Sequence, residues 1–340
     1  MQTVGVFLVG TSAGGHSALR ALVSQLPADF PAAICVVLHM GHNAPGSLPA
    51  MLSEAGALRA THAEDAEAIQ GSRIYVAPPD RHLIVCQHGI LRLGSGPKEN
   101  FFRPSVDPLF RSAARIYGAG CAGVVLTGGL DDGSAGLAAI KRCGGVAIVQ
   151  DPDEAAAPSM PRSALRAVEV DDRLSLAAMG KHLISLARAP TPAAELCVMT
   201  ESERVEIDIA LGSPSPGSTP RQALGQPTLF TCPECAGVLM RMQDGRPARF
   251  RCHTGHAFTQ RTLALAQHES TEASIWTAIK SCEEERATLM ELAVDERLRG
   301  EATVADDLLR AAKRLEERSR KLREMVIGKA PTGRAGRERQ

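Results

Sequence analysis

Between residue 1 and about residue 190, unbroken aliphatic runs at 4–9, 34–38, 74–77, 83–86, 121–126 and 146–149 alternate with amphipathic stretches. Runs without polar alternation suit strands buried on both faces, so the pattern predicts an α/β class with a doubly wound, mainly parallel sheet. Helices are expected at 15–26, at 106–117 with Ser105 as a cap, at 132–142 and at 174–187. The pattern then lapses. Pro190, Pro192, Pro214, Pro216 and Pro220 lie among Ser, Thr and Gly, which is linker chemistry, interrupted at 205–211 by a run that predicts one short strand. Further on, Ile275, Ile279, Cys282, Leu289 and Ala293 step by four, three, seven and four. Val304, Leu308, Ala311, Leu315 and Leu322 repeat that rhythm after a break near Gly300, so two packed helices are expected.

A chain of 340 residues exceeds twice the ~150 of a typical domain, which favours more than one folded unit. Lys+Arg and Asp+Glu both number 38, so no global field draws the chain to nucleic acid or an anionic membrane. Aromatics at 3% argue against a stacking platform for single strands. No run approaches the ~20 apolar residues of a membrane span, and no charged-then-apolar leader precedes the first strand, so a cytoplasmic protein is expected. Six of the nine cysteines (Cys35, Cys86, Cys121, Cys143, Cys197, Cys282) are scattered in apolar surroundings and read as buried structural thiols.

Directly after the first aliphatic run comes Gly10-Thr11-Ser12-Ala13-Gly14-Gly15. As a dinucleotide fingerprint it fails, since the spacing is not G-x-G-x-x-G and the second run ends in His39 where an acidic ribose ligand would stand. As a Gly-x-Ser-x-Gly turn it fits: small neighbours leave a serine hydroxyl exposed between strand and helix, with backbone N–H groups near enough to receive an oxyanion. Serine is a poor nucleophile near neutrality, so this reading needs a histidine base and a carboxylate to orient it. His39 ends the next run and Asp131 and Asp132 follow the run at 121–126; C-terminal strand ends share one rim of an open parallel sheet. His16, His42, His62, His82 and His88 are the other candidate bases, placed in or beside loops or, for His16, inside the helix start. The order Ser, His, Asp differs from that of α/β-hydrolases.

These residues, with Pro78-Pro79-Asp80-Arg81-His82, Ser105-Val106-Asp107, Leu126-Thr127-Gly128, Asp132-Gly133, Gln150-Asp151-Pro152 and Met160-Pro161, resemble the catalytic domain of the CheB-type chemotaxis methylesterases over residues 3–187. The resemblance implies Ser12 as nucleophile, His39 as base and acid, and Asp132, followed by Gly, as the orienting carboxylate, with Asp131 its neighbour. It implies a protein-glutamate methylesterase that needs no cofactor for catalysis. The reaction would hydrolyse glutamate γ-methyl esters on a methylated receptor protein and release methanol, with deamidation of glutamine as a related activity. Ala13, Gly14 and Gly129 form the expected oxyanion and substrate region. Relatives commonly carry Gly-Met-Gly-x-Asp-Gly before the acid, where this chain has Gly129 and Leu130, and many have Thr where Ala13 stands. The first strand begins at once, so an N-terminal phosphoacceptor domain, and control by phosphorylation within this chain, is not expected.

Cys232-Pro233-Glu234-Cys235 is followed, after sixteen intervening residues, by Cys252-His253-Thr254-Gly255-His256. Two thiolates on one tight turn and a Cys/His pair on another can supply four tetrahedral zinc ligands, assigned to Cys232, Cys235, Cys252 and His256 with His253 in reserve. Four protein ligands leave no open position, so the zinc would be structural. The segment resembles a zinc ribbon. The expected organisation is a catalytic domain at 1–189, a linker at 190–226, a zinc-ribbon-like module at 227–262, a helical hairpin at 263–328 and a basic tail at 329–340. Ten Lys/Arg and four Glu between Ala311 and Gln340 leave that end locally +6. A signalling partner for the helices, or self-association along their seam, is expected. A non-catalytic scaffold and nucleic-acid binding by the ribbon, whose Arg241, Arg246, Arg249 and Arg251 are only partly offset by Glu234 and Asp244, are the rival readings.

Overall fold

The computed structural model describes residues 2–3, 5–40, 46–191, 197, 200–212, 224–243 and 247–327. The basic tail at 329–340 lies outside them. Residues up to Leu263 form one compact unit and those from Ala264 a second.

In chain order the first unit runs β1 (Gln2–Thr3), β2 (Val6–Thr11), α1 (Gly15–Val23), β3 (Ala33–Leu38), α2 (Leu48–Ala55), β4 (Arg59–His62), β5 (Arg73–Val76), β6 (His82–Cys86), β7 (Ile90–Gly94), α3 (Val106–Tyr117), β8 (Cys121–Val125), α4 (Ser134–Arg142), β9 (Val146–Gln150), α5 (Ser159–Ala167), β10 (Asp172–Leu174), α6 (Leu176–Arg188) and β11 (Pro190–Thr191). Seven strands form a sheet in the order β10-β9-β8-β2-β3-β5-β4, every neighbouring pair parallel. Side chains alternate across a strand, and β2 shows the result. Phe7 and Val9 join the core beneath α1, α2 and α6, while Val6 and Leu8 join the core beneath α3, α4 and α5. Full burial of such a side chain contributes about 1.5–3 kcal/mol.

The run at 83–86 departs from the expected parallel sheet. It pairs antiparallel with β7 in a separate hairpin, because His88 and Gly89 take left-handed backbone angles that turn the chain straight back. An aliphatic run alone does not distinguish these two pairings. Two of the scattered cysteines are likewise not thiols, since Cys143 and Cys197 form a disulfide, and Cys86 is only half-buried.

Inside the expected linker, residues 201–211 form not a strand but a helix, α7 (Glu201–Leu211), opened by a reciprocal capping box between Thr200 and Glu203. Four antiparallel strands follow in sequence order: β12 (Gln226–Thr231), β13 (Val238–Arg241), β14 (Arg249–Cys252) and β15 (Ala257–Thr259). They pack on the parallel-sheet domain within the first unit through buried ion pairs. Arg251 bonds Glu99 at 2.8 Å and Glu206 of α7 at 2.7 Å, Arg249 bonds Glu206 at 2.7 Å, and Arg111 of α3 bonds Glu99 at 2.8 Å.

The second unit holds most of α8 (Gln260–Leu298) and all of α9 (Ala302–Ile327), broken at Gly300. Ile279, Cys282, Ala293 and Leu315 are buried, in keeping with the expected seam, whereas Val304 is 45% exposed and Ala311 only half-buried, and their neighbours Ala305 and Ala312 are buried instead. Trp276 carries the Arg323 guanidinium 6.0 Å from its ring centre, and Arg323 pairs with Glu283.

Candidate active site

The middle strands of the sheet end in the residues singled out from the sequence. Ser12 follows β2 and its N–H donates to Thr127 O after β8 at 3.0 Å; on the other side, the His39 N–H after β3 donates to Thr11 O at 3.1 Å. Adjacent parallel strands lie ~4.8 Å apart, so three neighbouring strand ends converge here. The turn that presents Ser12 depends on glycine. Gly14, at φ 77°, starts α1 in the left-handed region, and a Cβ there would come 2.8 Å from that of Ala156. Gly128 is pinned between Met160 and Ser12, since a Cβ there would meet the Met160 sulfur at 2.1 Å and the Ser12 Cβ at 2.9 Å.

His39 Nε2 donates to Asp132 Oδ2 at 2.7 Å, with both side chains 1% exposed. The His39 ring stacks on Phe102, 3.7 Å between centres and 8° from parallel, and its Nδ1 is buried without a hydrogen-bond partner among the described residues. Among the described residues no hydrogen bond joins Ser12 to His39; such pairs often tighten only around bound substrate. Asp132 is saturated. Oδ2 also accepts from Val106 N at 2.7 Å, and Oδ1 accepts from Ser105 Oγ at 2.8 Å and Asn100 Nδ2 at 3.1 Å. Burial alone would raise the Asp132 pKa, but the hydrogen bond and charge of His39, the Val106 N–H and the Asn100 amide hold the carboxyl well below the usual range.

Two neighbouring carboxyls go the other way. Burial first, then the charge of Asp132, pushes Asp107 up to about 8, and burial raises Asp131 to about 6. Such opposed shifts in one small volume are typical of reacting sites. Asp131 instead lines a cleft of about 710 Å³ together with Ser134, Arg166, Arg241 and Arg261, which neither Ser12 nor His39 lines. The N–H groups of the expected oxyanion region, Ala13, Gly14 and Gly129, carry no hydrogen bond among the described residues; that of Gly128, which is not among them, is taken by Ala157 O.

Sequence reasoning missed Asn100 and Phe102, which lie in an irregular segment. It placed Ser105 as a helix cap, but Ser105 makes no capping bond, because its hydroxyl is turned to Asp132. Of the other candidate histidines, His82 is buried against Pro97 O and Ser105 N, His16 and His88 are exposed, and His62 is half-buried with neither ring nitrogen bonded among the described residues; His42 lies outside the described residues.

Away from this rim, Cys232, Cys235, Cys252 and His256 bring four donor atoms within 4.8 Å of one another. Cys235 Sγ lies 3.6 Å from Cys252 Sγ, and His256 Nδ1 lies 3.5 Å from Cys252 Sγ and 3.7 Å from Cys232 Sγ. Tetrahedral zinc with Zn–S bonds of ~2.3 Å sets its sulfurs roughly 3.8 Å apart, so the donor set fits. The reserve ligand His253 instead lies against Gly237, where a Cβ would meet its ring at 2.2 Å.

The sequence profile described as CheB methylesterase matches residues 7–183. A putative protein-glutamate methylesterase/protein-glutamine glutaminase of Leptospira interrogans is 38% identical over 179 residues, covering 53% of this chain and 93% of the relative. A protein-glutamate methylesterase/protein-glutamine glutaminase 2 of Anaeromyxobacter dehalogenans is 40% identical over 185 residues, covering 54% of each chain. Among solved structures, the catalytic domain of the Thermotoga maritima CheB methylesterase superposes with a TM-score of 0.52 at 33% identity, covering 55% of this chain and 99% of that domain. No described helix is long and apolar enough to cross a membrane. A profile match over just over half the chain, on a parallel sheet of the same fold, establishes that this chain belongs to the CheB methylesterase family.

Proposed function

We propose that Ser12, His39 and Asp132 form the catalytic triad of a protein-glutamate methylesterase acting on a methylated chemoreceptor-like protein in the cytoplasm. The single observation that carries this reading is the His39–Asp132 hydrogen bond of 2.7 Å, fully enclosed at the strand end beside Ser12. With Nε2–H committed to Asp132, Nδ1 is the free base. Ser12 Oγ attacks the γ-ester carbonyl carbon and passes its proton to His39 Nδ1, while the N–H groups of Ala13, Gly14 and Gly129 receive the oxyanion. The C–O bond to methoxide then breaks as His39 returns the proton, releasing methanol and leaving Ser12 acylated. Water, deprotonated by His39, frees the glutamate carboxylate. Glutamine side chains follow the same course with ammonia as leaving group. Asp132 keeps the imidazole oriented and stabilises its cationic form.

Cys232, Cys235, Cys252 and His256 would hold zinc, which would tie the ribbon turns together and take no part in the chemistry. We read the chain as a catalytic domain over 1–189 with the ribbon over 227–262, and assign partner docking to the hairpin over 263–328. The test is methanol release from methylated receptor. Ser12→Ala should abolish it, by roughly 10⁴-fold or more; turnover surviving that substitution overturns the mechanism.

A further inference from the structure

The loop between β7 and α3 makes a turn at residues 99–102, closed by Phe102 N donating to Glu99 O at 3.0 Å and Glu99 N donating to Phe102 O at 3.2 Å. Its two central residues, Asn100 and Phe101, have φ of 52° and 77°, left-handed angles that side-chain-bearing residues keep only where their surroundings hold them. What holds them is the ribbon. Asn100 N donates to Ala257 O of β15 at 2.9 Å, and Asn100 Oδ1 accepts from Thr259 N at 3.1 Å and Thr262 Oγ1 at 3.2 Å. Phe101 meets Phe258 edge-on with ring centres 6.2 Å apart.

The other side of the same turn faces the dyad. Asn100 Nδ2 donates to Asp132 Oδ1 and to Asp107 Oδ2, both at 3.1 Å, and Phe102 stacks on His39. Ala257, the ribbon residue paired with the turn, directly follows His256, one of the four clustered donors. The chain of contact therefore runs from the donor cluster through β15 to the turn, and from the turn to both His39 and Asp132.

We propose that the metal-loaded ribbon is a positioning element for the catalytic dyad, acting through Asn100 on Asp132 and through Phe102 on His39, so that ribbon metal content sets the turnover rate. This rests on the esterase reading above. Asn100 and Phe102 touch no substrate in this scheme; they fix the imidazole and carboxylate, and a misplacement near 1 Å costs of order 10²-fold in rate.

The experiment compares the full chain loaded with zinc, the same chain after chelation, and loaded Asn100→Ala. Three quantities are read: kcat and KM on methylated receptor, the rate at which a fluorophosphonate probe labels Ser12, and the low-field proton resonance of the His39 Nε2–H donated to Asp132. The expectation is a fall in kcat of about 10- to 100-fold with KM nearly unchanged, slower labelling and a shifted or lost low-field resonance, in both the chelated and the substituted protein. Unchanged kcat and resonance after chelation, or an Asn100→Ala effect confined to KM, overturns the proposal. Should Asn100→Ala not fold, Thr262→Val removes one donor to the Asn100 carbonyl in its place. A few-fold kcat loss with a shifted resonance supports the role, and wild-type values of both overturn it. Equal labelling of Ser12 in all forms leaves the esterase standing and removes the positioning role, whereas a loaded wild type that is not labelled at Ser12 removes both.

Discussion

His39 offers Nε2 to Asp132 at 2.7 Å, so in the proposed triad Nδ1 is the nitrogen left for Ser12. In the chymotrypsin arrangement the two nitrogens have the opposite assignments. The consequence is a tautomer requirement, because only a proton on Nε2 leaves the Nδ1 lone pair open. Asp132→Asn presents an amide that can donate to Nε2 and so favours the proton on Nδ1. We expect kcat to fall by ~10³–10⁴ with little change in fold, and ¹⁵N shifts of the imidazole to report the switched tautomer. Retained Nε2–H in that variant would contradict the assignment.

Asp107 gives a pH signature. The unfolded chain releases this proton near the ordinary carboxylate pKa of ~3.9, whereas the folded protein keeps it until about 8. The native state thus binds the extra proton between those values, and the stability this group contributes is complete below the lower value and lost as pH rises through the upper one. Asp107→Asn copies the neutral form and has no such dependence. Its Tm should gain on the wild type progressively from pH 4 to pH 9; a gap that stays constant with pH would speak against the raised value.

Glu206 is fully buried among Arg249 and Arg251, with Arg111 3.7 Å away. Removing one partner from a buried ionic cluster leaves the others uncompensated, at a cost of about 3–5 kcal/mol. Glu206→Ala should lose stability on that scale in denaturant titrations monitored by circular dichroism. A loss below ~1 kcal/mol would show that the guanidinium groups find water instead.

Gly128 has space for a hydrogen and nothing larger. In Gly128→Ala the new methyl must displace either the Met160 sulfur or the Ser12 Cβ. The expected result is a kcat loss of about 10²-fold through displacement of the proposed nucleophile, with a smaller effect on Tm. Wild-type kcat would mean that Met160 alone gives way.

Zinc removal should also be visible without any assay of turnover. A chelator in excess should lower Tm by several degrees and release the metal with a single stoichiometry, and Cys235→Ser should bind zinc more weakly. Identical melting of loaded and chelated protein would argue that the four donors hold no metal.

The strand-end residues were legible because uninterrupted aliphatic runs announce a parallel sheet, and Ser12, His39 and Asp132 each follow such a run. What supports them was not. Asn100, Phe102 and Ser105 sit in a segment whose only order is tertiary, and no period marks it. The misread helix α7 is more instructive. Val205, Ile207, Ile209 and Leu211 alternate as a strand would. The buried residues are Glu203, Glu206, Ile207, Ile209 and Ala210, which have helical spacing, but two of these five are glutamates whose partners come from α4 and the ribbon. Periodicity read through hydrophobic residues alone cannot register a face built from charge pairs. The ribbon cysteines were legible from spacing, while the Cys143–Cys197 disulfide, 54 residues apart, was not.

The single tryptophan, Trp276, lies in the helical hairpin beneath Arg323, and both tyrosines, Tyr75 and Tyr117, lie in the first unit. Selective excitation of indole therefore yields an optical probe of the hairpin, while tyrosine emission carries the signal of the esterase unit. A partner that docks on the helices should perturb one colour of the spectrum, and a ligand at Ser12 the other, so the two halves of this chain can be titrated separately in one cuvette without any label.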